Sequence, residues 1–366
     1  MGLYQTFVRP LAFAMDAERA HDLAITAGAV AGGLPPVRGL LSACYGHADE
    51  RLETEVCGIH FANPIGLAAG YDKSGRAVRA LAALGFGHVE VGSVSLDASS
   101  GNPKPRLFRL AAESAIVVNY GLPNDGAASV AARLNSRRTP VPLGLNVVKT
   151  NRGPDAPPAS ADDIIAEYVA ATQALSDVAD YLSLNLSCPN TETGRNFFAD
   201  PEAITGLLDA LADARIGCPV FLKVAPAAGA RAIEDLLAAV EGCALVSGFI
   251  FNLPPGKPDS LKTPAALLAD KPGAVSGKPV ERLINESIRE LYRRMDRSRY
   301  VIVGSGGVFT AEGAYRKMRL GASLVQVLTG LIYRGPSVVK QINRGLVALL
   351  ARDGLAHVSE AVGLDA

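Results

Sequence analysis

Eight short apolar runs, set between longer stretches of helical spacing, constrain the fold of this chain more than any other feature. They are PIGLAAG (64–70), HVEVGSVS (88–95), PLGLNVV (142–148), YLSLNLS (181–187), PVFLKVA (219–225), VSGFIFN (246–252), YVIVGSGG (300–307) and LVQVLTG (324–330). Each has the length and β-prone composition of a buried strand. Helical patterns occupy 74–84, 163–177, 202–213, 231–241, 280–296 and 310–320 between them. Eight such alternations are the count of a closed (β/α)8 TIM barrel in the α/β class. An open doubly wound sheet would carry a glycine-rich nucleotide loop after its first strand, and none is there.

Residues 1–46 stand apart as a small N-terminal helical extension, and 47–366 form the barrel domain. In the extension Phe7, Leu11, Ala14 and Met15, then Ala20, Leu23 and Ala24, recur at helical spacing, and GGLPP at 32–36 breaks the run. This layer reads either as a cap on the barrel or as an amphipathic surface that meets a membrane or lines an apolar tunnel. Segments 96–141 and 253–279 are too long for ordinary loops and read as rim elements or lids.

Lysine plus arginine equals aspartate plus glutamate at 36 each, with no long basic run, which argues against nucleic-acid binding. Five cysteines without a CxxC pair fit neither a disulfide framework nor a zinc site and point to a reducing compartment. No HxxxH, HExxH or acidic cluster marks a metal. The first residues do not read as a secretory signal, because their apolar stretch is short and broken by Pro10. No uncharged apolar run reaches the roughly 18 to 20 residues that span a bilayer.

The strand ends carry the chemistry. They present Gly70 with Lys73, Ser93, Asn146, Asn185 with Cys188, Lys223, Asn252, Gly306 with Gly307, and Thr329 with Gly330. Amides and lysines converging on one rim suit a planar, partly anionic group. Glycines after the seventh and eighth strands suit a phosphate. Together these fit flavin mononucleotide, with a lysine facing the ring edge that gains charge on reduction. Cys188, at the open end of the fourth strand, is either a base or a small packed residue.

Seven blocks, NPIGLAAGYDKSG, GNPKPRLFRL, NLSCPNT, FLKVAP, VSGKP, IVGSGGV and GASLVQVLTGLIYRGP, resemble in order those of dihydroorotate dehydrogenases, over nearly the whole chain. The opening FVRPLAFAMDAERAHDLA resembles the N-terminal segment of class 2, quinone-reducing, membrane-associated members. The resemblance implies an FMN barrel that oxidises dihydroorotate to orotate in pyrimidine synthesis, with quinone as acceptor. It implies peripheral attachment to the cytoplasmic face of a membrane through the N-terminal helices. It implies FMN contacts from Ala69, Gly70, Ser93, Asn146, Asn185, Lys223, Gly277, Gly306, Gly307, Thr329 and Gly330. Lys73, Asn119, Asn190 and Asn252 would hold the substrate, and Cys188 would be the base.

Three departures from the family pattern are visible. Cys188 stands where class 2 enzymes place serine. Val118 takes the place of the asparagine in an NxxG loop, with Asn119 one residue late. After the sixth strand, either Asn252 aligns one residue early or Leu253 and Pro254 replace an expected Asn–Thr pair. These departures leave a second reading, a paralogue with the same flavin chemistry on a less polar cyclic substrate.

Overall fold

The structure is a computed structural model that describes residues 2–136, 139–153, 155–187, 197–214, 216–226 and 229–366. Helices α1 (Arg9–Ala14), α2 (Ala17–Gly33) and α3 (Pro35–Tyr45) form the N-terminal layer. Asp16 caps α2 by accepting from the amides of Glu18 and Arg19. Gly33 ends α2, and Pro35 starts α3, where a missing amide proton costs nothing. A hairpin of β1 (Thr54–Val56) and β2 (Ile59–Phe61) follows.

The eight expected runs all become barrel strands. These are β3 (Ile65–Leu67), β4 (His88–Val94), β7 (Leu143–Val147), β8 (Tyr181–Asn185), β9 (Val220–Val224), β10 (Val246–Phe251), β12 (Val301–Gly304) and β13 (Leu324–Val327). They close in sequence order, with every barrel pair parallel. Between them run α4 (Val78–Ala82), α6 (Ala161–Ser176), α7 (Pro201–Ala212), α8 (Ala230–Val240), α9 (Glu281–Arg294) and α10 (Ala311–Arg319), close to the six helical patterns of the sequence. After β13 come α11 (Thr329–Arg334) and α12 (Val338–Asp353).

The barrel has one closed end. Val56 and Phe61 of the hairpin pack with Tyr181, Phe221, Ile250, Val303 and Leu324 in one buried cluster. On the strands, Leu67, Val89, Leu145, Leu182, Leu184 and Leu222 belong to the main core shared with the helices.

The two long segments meet as one element. The first holds β5 (Leu107–Leu110), β6 (Ala115–Val118) and α5 (Ala127–Asn135), and the second holds β11 (Ala274–Gly277). Strands β5, β6 and β11 form an antiparallel sheet with β6 in the centre. Helix α2 packs against α4 through Gly28 and Gly32, where an added Cβ would touch Ala77 and Ala80 at 3.0 Å. The helical layer thus sits beside the open end of the barrel. No described helix is long and apolar enough to cross a membrane.

Candidate active site

A cavity of about 920 Å³ opens at the C-terminal ends of the strands and continues out between α1 and α2. Its inner wall contains Ala69, Gly70, Ser93, Asn185, Lys223, Asn252, Gly277, Gly306, Gly307, Thr329 and Gly330. Its outer part is lined by Leu3, Phe7, Leu11, Leu23 and their neighbours. Polar groups gather at the inner end and apolar ones at the outer.

Lys223 on β9 points into the barrel, where its ammonium lies 3.1 Å from Glu90 of β4. Glu90 is fully buried. Burial pushes its carboxyl up, but the Lys223 charge and the hydrogen bonds from Gln326 and Lys223 outweigh that and hold it below the usual carboxylate range. Asn185 donates to Ser93 Oγ at 3.1 Å and accepts from Asn252 at 2.8 Å.

Two expected ligands are not among the residues that line the cavity. Asn146 does not line the cavity; its amide is taken up between Ser93 (2.5 Å) and Ser183 (2.6 Å), one layer below. Asn119 also misses the cavity. Along β6, Ile116 and Val118 line the opening, whereas Asn119, just past the end of the strand, accepts from Asn102 at 3.1 Å. Cys188 and Asn190 fall outside the described residues.

Lys73 is carried by the turn after β3. Asp72 shapes that turn by accepting from the amides of Arg76 (2.9 Å) and Ala77 (2.6 Å). The Lys73 ammonium lies 3.4 Å from His21 Nε2 and 3.8 Å above the Tyr120 ring. Burial pulls its pKa down to about 8, against the pull of Glu18, Asp22 and Asp72. His21 reaches this point from α2, on the same face as Ala17 and Ile25. Burial and the Lys73 charge drop its pKa to about 3, so it stays neutral and offers Lys73 a lone pair. Tyr71 packs edge-on against His21, and burial raises its hydroxyl to about 12.

The glycine ends fit a phosphate. Gly306 and Gly307 have φ of 72° and 73°, a conformation that favours glycine. A Cβ at Gly306 would strike Ile284, and one at Gly307 would strike Glu281. Among the described residues neither backbone N–H finds an acceptor. Beside them Ser276 and Thr329 share a hydroxyl contact of 3.1 Å. Donors of this kind, with the Lys223 ammonium across the floor, match an anionic, planar cofactor.

Sequence reasoning missed Glu90, Gln326, His21, Tyr71 and Tyr120. Glu90 had a signal: an acid within an otherwise apolar strand is rarely buried without a partner. His21 had only its helical phase.

A closed barrel, a donor-rich floor with a glycine phosphate cradle, and an apolar vestibule define a flavin-dependent oxidoreductase of the (β/α)8 class. Residues 51–350 match the family model for dihydroorotate dehydrogenase. A protein of Natronomonas pharaonis called dihydroorotate dehydrogenase (quinone) is 40% identical over 365 residues, spanning 100% of both chains. One of the same name from Acidithiobacillus ferrooxidans is 40% identical over 97% of this chain and 98% of its own. The crystal structure of DHODH from Eimeria tenella in complex with ferulenol superposes with a TM-score of 0.82 at 29% identity, covering 95% of each chain. Its ligand-free form gives 0.81 at 30% identity, over 96% of this chain and 99% of that one. The chain belongs to the dihydroorotate dehydrogenase family.

Proposed function

We propose that this protein oxidises dihydroorotate to orotate on bound FMN and passes the electrons to quinone. The observation that carries the reading is the continuous cavity running from the Lys73 and Lys223 floor to the apolar vestibule between α1 and α2. Family membership and the quinone-dependent names of the relatives support it.

FMN, when bound, takes a hydride from the substrate and later yields two electrons to the acceptor. The residues do the rest. The amides of Gly306, Gly307 and Gly330 would hold its phosphate. Ala69, Gly70, Ser93, Gly277 and Thr329, which line the cavity, would hold its ring and ribityl chain, and Asn185 would serve both flavin and substrate. Lys223 offers positive charge to the ring edge. Asn146 supports Ser93 from beneath. Lys73 pairs with the substrate carboxylate, and Asn252 and Asn190 meet its amide edge.

Cys188 removes the proton from the carbon next to the one that loses hydride. A free thiol ionises at a pKa of about 8.5, and neighbouring cations lower that value. Serine at this position is a much weaker base, so cysteine here needs less help from its surroundings.

Segment 1–46 forms the membrane and quinone side, and 47–366 forms the catalytic barrel. Leu3, Phe7, Val8, Leu11, Leu23, Val30, Leu34 and Leu40 are exposed on that segment. So much bare apolar surface in one small layer supports peripheral attachment to a membrane.

The test is direct. Yellow protein under anaerobic conditions is expected to bleach rapidly on adding L-dihydroorotate and to regain colour with a soluble quinone. Bleaching only by another cyclic compound overturns the substrate assignment, and a protein that takes up no flavin overturns the whole reading.

A further inference from the structure

We propose that Glu90 is a positioning residue for the flavin site. It is the counter-ion that fixes Lys223 and the terminal acceptor that gives one direction to the side-chain hydrogen bonds reaching the cavity. The inference rests on the flavin-binding reading above.

The Glu90 carboxylate collects four donors from three other strands. One oxygen receives Lys223 Nζ and Ser183 Oγ, each at 3.1 Å. The other receives Gln326 Nε2 at 2.7 Å and the Tyr181 hydroxyl at 3.3 Å. An ionised carboxylate only accepts, so all four groups must donate to it.

That constraint passes upward. Ser183 gives its one proton to Glu90 and therefore accepts from Asn146 Nδ2 at 2.6 Å. Asn146 is then left with its oxygen facing Ser93, which donates at 2.5 Å. Ser93, with its proton used, accepts from Asn185 Nδ2 at 3.1 Å. The Asn185 oxygen accepts in turn from Asn252 at 2.8 Å. From Asn252 to Glu90 every bond points the same way.

At the rim this has a consequence. Asn185 and Lys223 both line the cavity. With its oxygen accepting from Asn252 and one amide hydrogen given to Ser93, Asn185 offers its remaining N–H, and Lys223 offers the ammonium hydrogens that Glu90 does not take. A floor of donors suits a ring edge that gains negative charge. His88, beneath Glu90, has both ring nitrogens unpartnered and is held neutral by burial, at a pKa of about 4. It supplies no replacement anion.

In Glu90→Gln the new side chain has one acceptor oxygen and a donor amide facing four donors. The chain then loses its fixed direction, and Lys223 loses its counter-ion. Flavin affinity and midpoint potential are read for the holoenzyme and for Glu90→Gln, Glu90→Asp and Ser183→Ala. Glu90→Gln is expected to bind flavin about tenfold more weakly. Its bound flavin should also become easier to reduce, because the anion that offsets the Lys223 charge is gone. Glu90→Asp should move both values back toward wild type. Ser183→Ala keeps the ion pair and cuts the chain, so affinity should fall by about threefold with the potential unchanged.

Wild-type affinity in Ser183→Ala overturns the proposal, as does a wild-type potential in a folded Glu90→Gln protein. If Glu90→Gln does not fold, Ser183→Ala decides alone. A wild-type protein that binds no flavin sinks the parent reading instead, whereas yellow variants indistinguishable from wild type sink this inference only.

Discussion

At the scale of single residues, Lys73 carries the clearest pH signature. Its folded pKa is lowered to about 8, mainly by burial. The charged form therefore dominates below that value and is lost above it. A substrate carboxylate binds the charged form, so KM for dihydroorotate should hold steady at neutral pH and rise above about pH 8, by close to tenfold per unit at the limit. Steady-state KM values across that range check it. Lys73→Met should raise KM about tenfold or more at neutral pH and remove the alkaline rise. A variant that keeps the wild-type profile would show that the carboxylate lies elsewhere.

Cys188 belongs to the same scale. Cys188→Ser is expected to slow single-turnover flavin reduction by about 100-fold at neutral pH, the usual reach of a positioned base. Equal rates would make the thiol a packing residue. The two amides off the cavity wall, Asn119 and Asn146, are instructive beside these. Asn119 reads as a ligand from its neighbourhood in the sequence, but it lies just past the end of β6 and accepts from Asn102. Asn146 has the right strand end and the right inward face, yet the layer above it exists only once the strands close.

At the scale of elements, the join between α2 and the barrel depends on one buried ion pair. Glu18 of α2 meets Arg106 at 2.7 Å, with the side chains only 10% and 7% exposed, and Lys104 adds a contact at 3.2 Å. The Arg106 guanidinium also donates to the carbonyls of Ser100 and Asn102 at 2.6 and 2.8 Å. Removing one partner strands the other, and Glu18→Ala should cost about 3–5 kcal/mol of stability. Thermal unfolding measures it.

The acid dependence has a definite sign. Burial pushes the Glu18 carboxyl up, but the Arg106 and Lys104 hydrogen bonds win and leave its pKa lowered. Its stabilisation is therefore complete above the ordinary carboxylate range and fades as pH falls through the lowered value. Proteolysis of the N-terminal segment should accelerate on acidification, and Glu18→Gln should be sensitive already at neutral pH.

The barrel strands were legible in the sequence because each is a local run with its own apolar character. The pairing of β11 with β6 was not, since it joins Gly277 to Ala115 across most of the barrel. Neither was the Glu18–Arg106 clamp, for the same reason of distance along the chain.

At the scale of the whole molecule, the cavity belongs to both parts of the chain. Its inner end lies on barrel strands and its outer end on helices, so in the proposed reaction the two halves would separate in space. Deleting residues 1–46 is a poor test of this, because it leaves Arg106 without Glu18 and bares the α4 surface under Gly28 and Gly32. Charged substitutions on the vestibule keep both contacts. Phe7 and Leu11 are 62% and 73% exposed and line the outer cavity. Burying such side chains in a lipid or quinone environment gains about 1.5–3 kcal/mol each. Phe7→Glu combined with Leu11→Glu should therefore weaken vesicle binding by about tenfold or more and slow flavin reoxidation by a long-chain quinone. Flavin reduction by dihydroorotate should keep its wild-type rate, because Lys73, Lys223 and the glycine cradle are untouched. Stopped-flow measurement of each half-reaction, with vesicle flotation alongside, separates the outcomes. If both half-reactions slow together, the helices act by shaping the inner site; if neither changes, quinone enters by another face.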